Sequence, residues 1–307
     1  MPNDASVDYS AYLKKPFLTR VLPYLIIAPA LLITIGILYP FVSAIYYSLT
    51  NYSFIRETYR VIWGRNWFNM FSDPTFWHAA WVTTKYAFWS AGMEMLLGLG
   101  LGLLICKKTN IFTSTLRVVL VFPLMIAPVI ATLIWQLMTN TSVGIIEKFL
   151  NLFGIYGFAW ASAHNTALFT AVLIDVWVNT PFIIVLVVAG INSLPKSPFE
   201  AAQVDGASAW FTFKNLTLPM LKPFLYIALI FRLMAALQEY AIIFALTKGG
   251  PGDTLMNLSL TAYNKGFYYK RFGEAMPYIL FLWLIIYIIA KVLVGKWLTV
   301  QRTASGR

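Results

Sequence analysis

Six runs of mostly apolar residues, none shorter than 20, recur along the chain at 21–49, 86–106, 118–138, 166–191, 223–247 and 275–294. A helix rises about 1.5 Å per residue, so each run can cross a hydrocarbon core of about 30 Å. Inside lipid every peptide group must find its hydrogen bond within the protein, which leaves helices or a closed barrel. A barrel would show alternating segments of about ten residues. These runs do not alternate, so the pattern predicts an all-α integral membrane protein of six spans. Only 11% of the 307 residues are charged, against about 25% in an average soluble domain, which excludes a soluble domain and a disordered chain. One cysteine, Cys106, excludes an internal disulfide and a Cys-based metal cluster. Lys14, Lys15 and Arg20 precede an apolar run far longer than that of a signal peptide, so 21–49 is expected to stay as the first span.

Orientation follows from the basic residues, which favour the cytoplasmic side of short loops. With the N-terminus inside, segments 1–20, 107–117, 192–222 and 295–307, together with Lys291, hold thirteen. The outer loops 50–85, 139–165 and 248–274 hold nine. Both termini are therefore expected to be cytoplasmic, and the turn carrying Lys107, Lys108 and Arg117 is the firmest marker. The net charge of +11 is read as serving orientation and lipid headgroups rather than nucleic acid.

Within the runs, Pro23, Pro29, Pro40, Pro123, Pro128 and Pro181 predict bent helices, either around a pathway or as ordinary kinks. Gly98 and Gly102 form a small-residue face suited to close helix packing. Four ionisable residues, Glu94, Asp175, Arg232 and Glu239, sit inside spans, where each costs several kcal/mol unless it faces protein or water. Asp175, Val178, Asn179 and Phe182 share one helix face, and Arg232, Ala236 and Glu239 share another. Two polar stripes near mid-depth, with Trp135 and Trp177 nearby, suit a polyhydroxylated solute, because hydroxyls pair with donors and acceptors and rings cover apolar sugar faces. The alternative is an Arg232 pair with Asp175 or Glu239 that only fastens helices. Glu94 is expected to face a partner subunit, water or a functional site.

Between the fourth and fifth runs lies a polar loop, 193–219. Ser197 as N-cap, Pro198 at the first helical position and Glu200 three residues into the helix predict a capped short helix. Gly206 allows a turn, and a second short helix is expected over 208–214. The loop exposes Phe199, Trp210 and Phe211, either to a docking partner or to lipid headgroups. Glu200-Ala201-Ala202, three residues, Gly206, nine residues, then Leu216-x-Leu218-Pro219 resembles the EAA loop of bacterial ABC-importer permeases, with Leu216 where the family usually has Ile. Val204 to Trp210 is similar to the carbohydrate-uptake branch. Leu246-Thr247-Lys248-Gly249-Gly250-Pro251 followed by Thr254 resembles a stretch of the maltose- and glycerol-phosphate-type first permease subunit. The resemblance covers roughly 85–298.

That resemblance implies a type I permease fold with a cytoplasmic coupling helix, in a bacterial inner membrane. It implies a second homologous permease subunit, two cytoplasmic ATPase subunits and an extracytoplasmic solute-binding protein. Glu200, Ala201, Ala202, Asp205 and Gly206 would couple to the ATPase. Solute-facing positions carry onto Asp175, Val178, Asn179, Phe182, Arg232, Ala236 and Glu239, the same stripes found by spacing. The domain reading is a cytoplasmic segment 1–20, a first span and outer loop 21–84, a permease core 85–298 and a cytoplasmic tail 299–307. No GxxxxGK[ST] stretch, HExxH or Gly-x-Ser-x-Gly occurs, so the chain is expected to bind no cofactor, with ATP and magnesium held by the partner. His78 and His164, in outer loops, lack metal-ligand company. The remaining alternatives are a secondary transporter using Asp175, Glu239 and Glu94 as ion sites, a membrane scaffold, and a membrane enzyme, for which no catalytic constellation is visible.

Overall fold

The computed structural model describes residues 17–56, 58–106 and 111–304. Segment 1–16 with Lys14 and Lys15, the Lys107–Lys108 turn, and Arg307 lie outside the described residues. Helix α1 (Phe17–Ser48) leads to a short α2 (Arg65–Ser72), then α3 (Pro74–Cys106), α4 (Ile111–Val121), α5 (Pro128–Met138) and α6 (Ile145–Asn151). Next come α7 (His164–Ser193), the short α8 (Ser197–Val204) and α9 (Ala209–Thr212), then α10 (Leu218–Leu237). The chain continues through α11 (Ala241–Thr247) and α12 (Leu258–Tyr263) to α13 (Phe272–Ala304).

Four of the apolar runs, 21–49, 86–106, 166–191 and 275–294, each fall on one long helix, and Pro23, Pro29, Pro40 and Pro181 lie inside continuous helices. Run 118–138 carries the sharpest of the expected proline bends. Thr115–Met125 and Pro128–Met138 meet at 105°. Pro123 sits in a tight 3₁₀ turn, Phe122–Met125, and Ile126 and Ala127 are extended at ψ 129° and 137°. Pro128 causes this: it lacks an amide donor and drives its predecessor out of the helical region. Run 223–247 is also divided, because α10 ends at Leu237 and α11 begins only at Ala241.

The centre of the bundle is the pair α3 and α7. A Cβ on Gly98 would lie 2.6 Å from Ile183, and one on Gly102 would lie 2.6 Å from Val187. The small-residue face of α3 thus lets α7 approach as closely as the backbone allows. Gly190 does the same for α10, where a Cβ would meet Leu221 and Phe224 at 2.9 Å. Around this seam Phe76, Tyr86, Ile174, Ile243, Leu260 and Tyr278 form a buried apolar core. Helix α1 stands apart. Its most apolar stretch has no buried residue, and it packs on α13, with the Phe41 and Trp283 rings 4.7 Å apart.

At the end of the bundle away from loop 193–219, the segment after α1 is fastened to the start of α13. Asn66 is buried, and its Nδ2 donates to the carbonyls of Ser48 at 2.9 Å, Thr50 at 2.8 Å and Gly273 at 3.1 Å. Gly273 N donates to Tyr52 O and Phe54 N to Lys270 O. The two hydrogens of one amide are therefore shared among three carbonyls freed at helix ends and turns.

Candidate functional site

Three helices each contribute one ionisable side chain to a buried cluster. Arg232, on α10, donates from Nε to Glu94 Oε2 at 2.5 Å and from Nη2 to Glu94 Oε1 at 2.7 Å. Its Nη2 also lies 3.2 and 3.3 Å from the two Asp175 oxygens on α7. Asn179, one turn along α7, donates to Asp175 Oδ1 at 2.6 Å. Glu94 is 0% exposed, Asp175 1% and Arg232 6%. The guanidinium fork matches the carboxylate geometry, and such paired, charge-assisted bonds are the strong ones in a low-dielectric interior. Two carboxylates share one guanidinium.

Of the two pairings that would fasten helices, Arg232 with Asp175 is present and Arg232 with Glu239 is not, while the shortest bonds of Arg232 go to Glu94. Glu239 was expected on the Arg232 and Ala236 face, yet α10 has ended by Leu237. Its Oε1 instead accepts from Ile242 N at 2.7 Å, satisfying an amide in the first turn of α11. The carbonyls released at this break are taken up by side chains: Asn257 Nδ2 donates to Glu239 O at 2.5 Å and Ser259 Oγ to Gln238 O at 3.2 Å. Gln136 Nε2, on α5, donates to Ala245 O and Leu246 O at the other end of α11. A broken helix at this depth is allowed because the protein itself pairs the freed groups.

Val178 and Ala236 are buried inside this chain, as are Asp175 and Arg232. Asn179, Phe182 and Glu239 are half-buried, and Phe182 meets Phe231 edge-on at 6.1 Å. Beside the break the structure gathers residues that spacing did not single out. Tyr240 stacks on Phe244 with centroids 5.2 Å apart, Tyr263 adjoins both, and Gln238 is exposed next to them. Their convergence depends on α12 folding back, which has no signature in helical spacing.

The loop 193–219 forms the expected helix–glycine–helix, with one change at its start. The N-cap of α8 is Lys196, whose carbonyl accepts from Phe199 N and Glu200 N at 3.0 Å. Ser197 is therefore already helical, and no side chain caps this end, so the expected capping box does not form. The other end is sharply defined. Gly206 N donates to Gln203 O at 3.2 Å, Ala207 N to Ala202 O at 2.9 Å, and Gly206 takes φ +71°. That is a Schellman turn with glycine at its left-handed position. Asp205 is the C-cap. Ser208 then caps α9, its Oγ accepting from Phe211 N at 3.2 Å. No residue of this loop is buried: Trp210 is 69% and Phe211 53% exposed, whereas Phe199 is half-buried. Ala201, Ala202, Asp205, Ser208, Phe211 and Leu216 line a hollow of about 520 Å³ between the two short helices.

The two histidines lie at helix starts and grip the same loop. His78 Nε2 lies 3.0 Å from Asp253 O, and His164 Nδ1 lies 2.5 Å from Thr254 Oγ1. Among the described residues, no group of three or more His, Cys, Asp or Glu is arranged to hold a metal ion.

Comparison with known proteins matches these features to a family. A family model described as "Binding-protein-dependent transport system inner membrane component" matches residues 95–300. The trehalose/maltose transport system permease protein MalF of Thermococcus litoralis is 34% identical over 90% of this chain and 94% of its own. The sulfoquinovosyl glycerol transport system permease protein SmoG of Agrobacterium fabrum is 32% identical over 85% and 86%. The sn-glycerol-3-phosphate transport system permease protein UgpA of Pectobacterium atrosepticum is 30% identical over 82% and 85%. A crystal structure of a bacterial alginate ABC transporter contains a chain of the same fold, with a TM-score of 0.77 over 91% of this chain and 96% of that one, at 18% identity. The chain belongs to the binding-protein-dependent inner membrane components, as an ABC-importer permease of the sugar-uptake type, a non-catalytic transport subunit that works with a separate ATPase.

Proposed function

We propose that this subunit pairs with a second, similar permease, docks two cytoplasmic ATPases through loop 193–219, and receives its solute from an extracytoplasmic binding protein. Both termini and that loop then lie in the cytoplasm. ATP and magnesium are held by the ATPases, and family membership sets the energy source there rather than in an ion gradient. The observation that carries the reading is connectivity. The loop leaves the end of α7 and enters the start of α10, the helices that bear Asp175 and Arg232. Glu200, Ala201, Ala202, Asp205 and Gly206 form the handle, and the hollow between α8 and α9 accepts a partner side chain. Moving the handle moves both helices with the cluster that joins them, so the pathway opens to alternate sides. The ATPase must bind the handle with different free energy in the two states, since otherwise hydrolysis shifts nothing.

The solute is a sugar, polyol or anionic derivative of one, as the cargoes in the relatives' names suggest. It meets Asn179 and Phe182 where α7 surfaces, and Gln238 and Tyr240 at the break beside Glu239. Val178 and Ala236 form the wall behind them, and the Glu94–Arg232–Asp175 cluster holds that wall in place. The test is transport by the reconstituted complex. Glu200→Lys should abolish uptake with the subunit still in the membrane, and normal uptake would refute the coupling role. Asn179→Ala should change which solutes stimulate ATP hydrolysis, and an unchanged profile would refute the solute assignment.

A further inference from the structure

The end of the bundle opposite the coupling loop carries a basic cleft separate from the Glu94–Arg232–Asp175 cluster and from the break at 238–240. It has a volume of about 620 Å³ and, among the described residues, is lined by four arginines, Arg56, Arg60, Arg65 and Arg271, against one carboxylate, Glu274. Arg271 Nη1 lies 3.6 Å from Glu274 Oε2. Among the described residues, no carboxylate comes within 4.0 Å of the other three guanidinium groups. These four account for much of the basic charge on what the orientation above makes the outer side, the side where basic residues are ordinarily sparse.

The cleft is built rather than accidental. Arg60 is pinned to Asn51 by a reciprocal pair, its N–H donating to Asn51 Oδ1 at 2.7 Å and its carbonyl accepting from Asn51 N at 3.1 Å. Arg65 opens α2, whose next residue, Asn66, donates to the Ser48, Thr50 and Gly273 carbonyls. Arg271 precedes Gly273, which has no room for a Cβ against the Thr50 carbonyl. The backbones carrying three of the arginines are thus locked together, and they present their exposed side chains to one cleft; a guanidinium's planar fork suits bidentate capture of oxyanions.

Its surroundings are those of a headgroup layer. The cleft caps α1 and α13, and α1 exposes apolar side chains along most of its length. Tyr46, Tyr47, Tyr52 and Tyr59 pack ring on ring at the same level, with Tyr52 and Tyr59 centroids 5.1 Å apart. Tyrosines collect where hydrocarbon gives way to headgroups. We propose that this cleft binds the phosphate ester of an anionic phospholipid headgroup, with the acyl chains lying along α1 and α13.

The test uses the purified, delipidated transporter complex. Binding of phosphatidylglycerol, phosphatidylcholine and inorganic phosphate is measured for the native protein, for Arg60→Gln/Arg65→Gln and for Arg60→Lys/Arg65→Lys. At about fivefold per basic residue, the Gln pair should weaken phosphatidylglycerol binding about twenty-five-fold, and phosphatidylcholine, whose choline cation offsets the same phosphate, should bind the native protein more weakly and lose less. The Lys pair, which keeps charge but not the fork, should recover only part of that loss. Phosphatidylglycerol binding that is equal across all three proteins would overturn the proposal. A loss seen with inorganic phosphate but not with phosphatidylglycerol would overturn the lipid assignment and leave a site for a soluble oxyanion.

Discussion

Replacing Arg232 with Met tests whether the buried cluster holds the bundle together. Arg232 makes two bonds to Glu94, at 2.5 and 2.7 Å, and two longer ones to Asp175, at 3.2 and 3.3 Å. Arg232→Met fills a similar volume but strands two carboxylates with no countercharge among them. Removing one partner of a buried pair costs about 3–5 kcal/mol, far more than the pair itself contributes. Glu94→Gln/Arg232→Met removes the more tightly bound anion as well and should recover about half of that loss. Asp175→Asn alone keeps the Glu94 fork and loses only long bonds, so it should cost under about 2 kcal/mol. Equilibrium unfolding of the complex in mixed micelles reads all three. The reasoning fails if Arg232→Met costs less than about 1 kcal/mol, or if the double substitution is no more stable than the single one.

Gly206→Ala meets no atom within 4 Å of its Cβ, so its cost is the left-handed backbone alone, about 1 kcal/mol. Apparent affinity for the ATPase should fall about fivefold, and Gly206→Asn should recover part of it. Gly98→Val drives a branched side chain into Ile183, where a Cβ already stands 2.6 Å away, and should cost at least about 1–3 kcal/mol in the same unfolding assay. Asn66→Ala leaves three carbonyls short of a donor and should raise amide exchange at the 49–54 and 270–274 backbone. Desolvation pushes the Asp73 carboxyl up, but its bonds from Thr75 and the nearby Lys265 outweigh that and hold it below its usual range. Its contribution to stability is therefore present above the ordinary carboxylate value of about 3.9 and is lost as pH falls through the lower folded value. Asp73→Asn should flatten that part of the acid-unfolding curve.

What could be read from residue order was whatever repeats or terminates locally. Six long apolar runs imply membrane helices because lipid offers the backbone no partner, and Gly206 after Glu200-Ala201-Ala202 marks a helix end because few other residues accept φ +71°. Pro128 held the information for the 105° corner, but a proline inside an apolar run also fits a continuous helix, as Pro181 does. The partnership of Glu94 and Arg232 spans 138 positions and has no local trace. The break at Gln238 to Tyr240 was equally silent, since no glycine or proline occurs there. It is held open by Asn257 and Ser259, residues whose polarity gives no hint of the backbone groups they will meet.

The elbow between α4 and α5 sets a condition on the neighbourhood of this subunit. Each arm has 11 residues and reaches about 16 Å, roughly half the thickness of the oily layer. Turned at 105°, the pair cannot fence off that layer from one surface to the other, as the unbroken helices do. Some adjoining polypeptide must complete the fence along that flank, so the fold is unfinished in isolation where its two prolines fall.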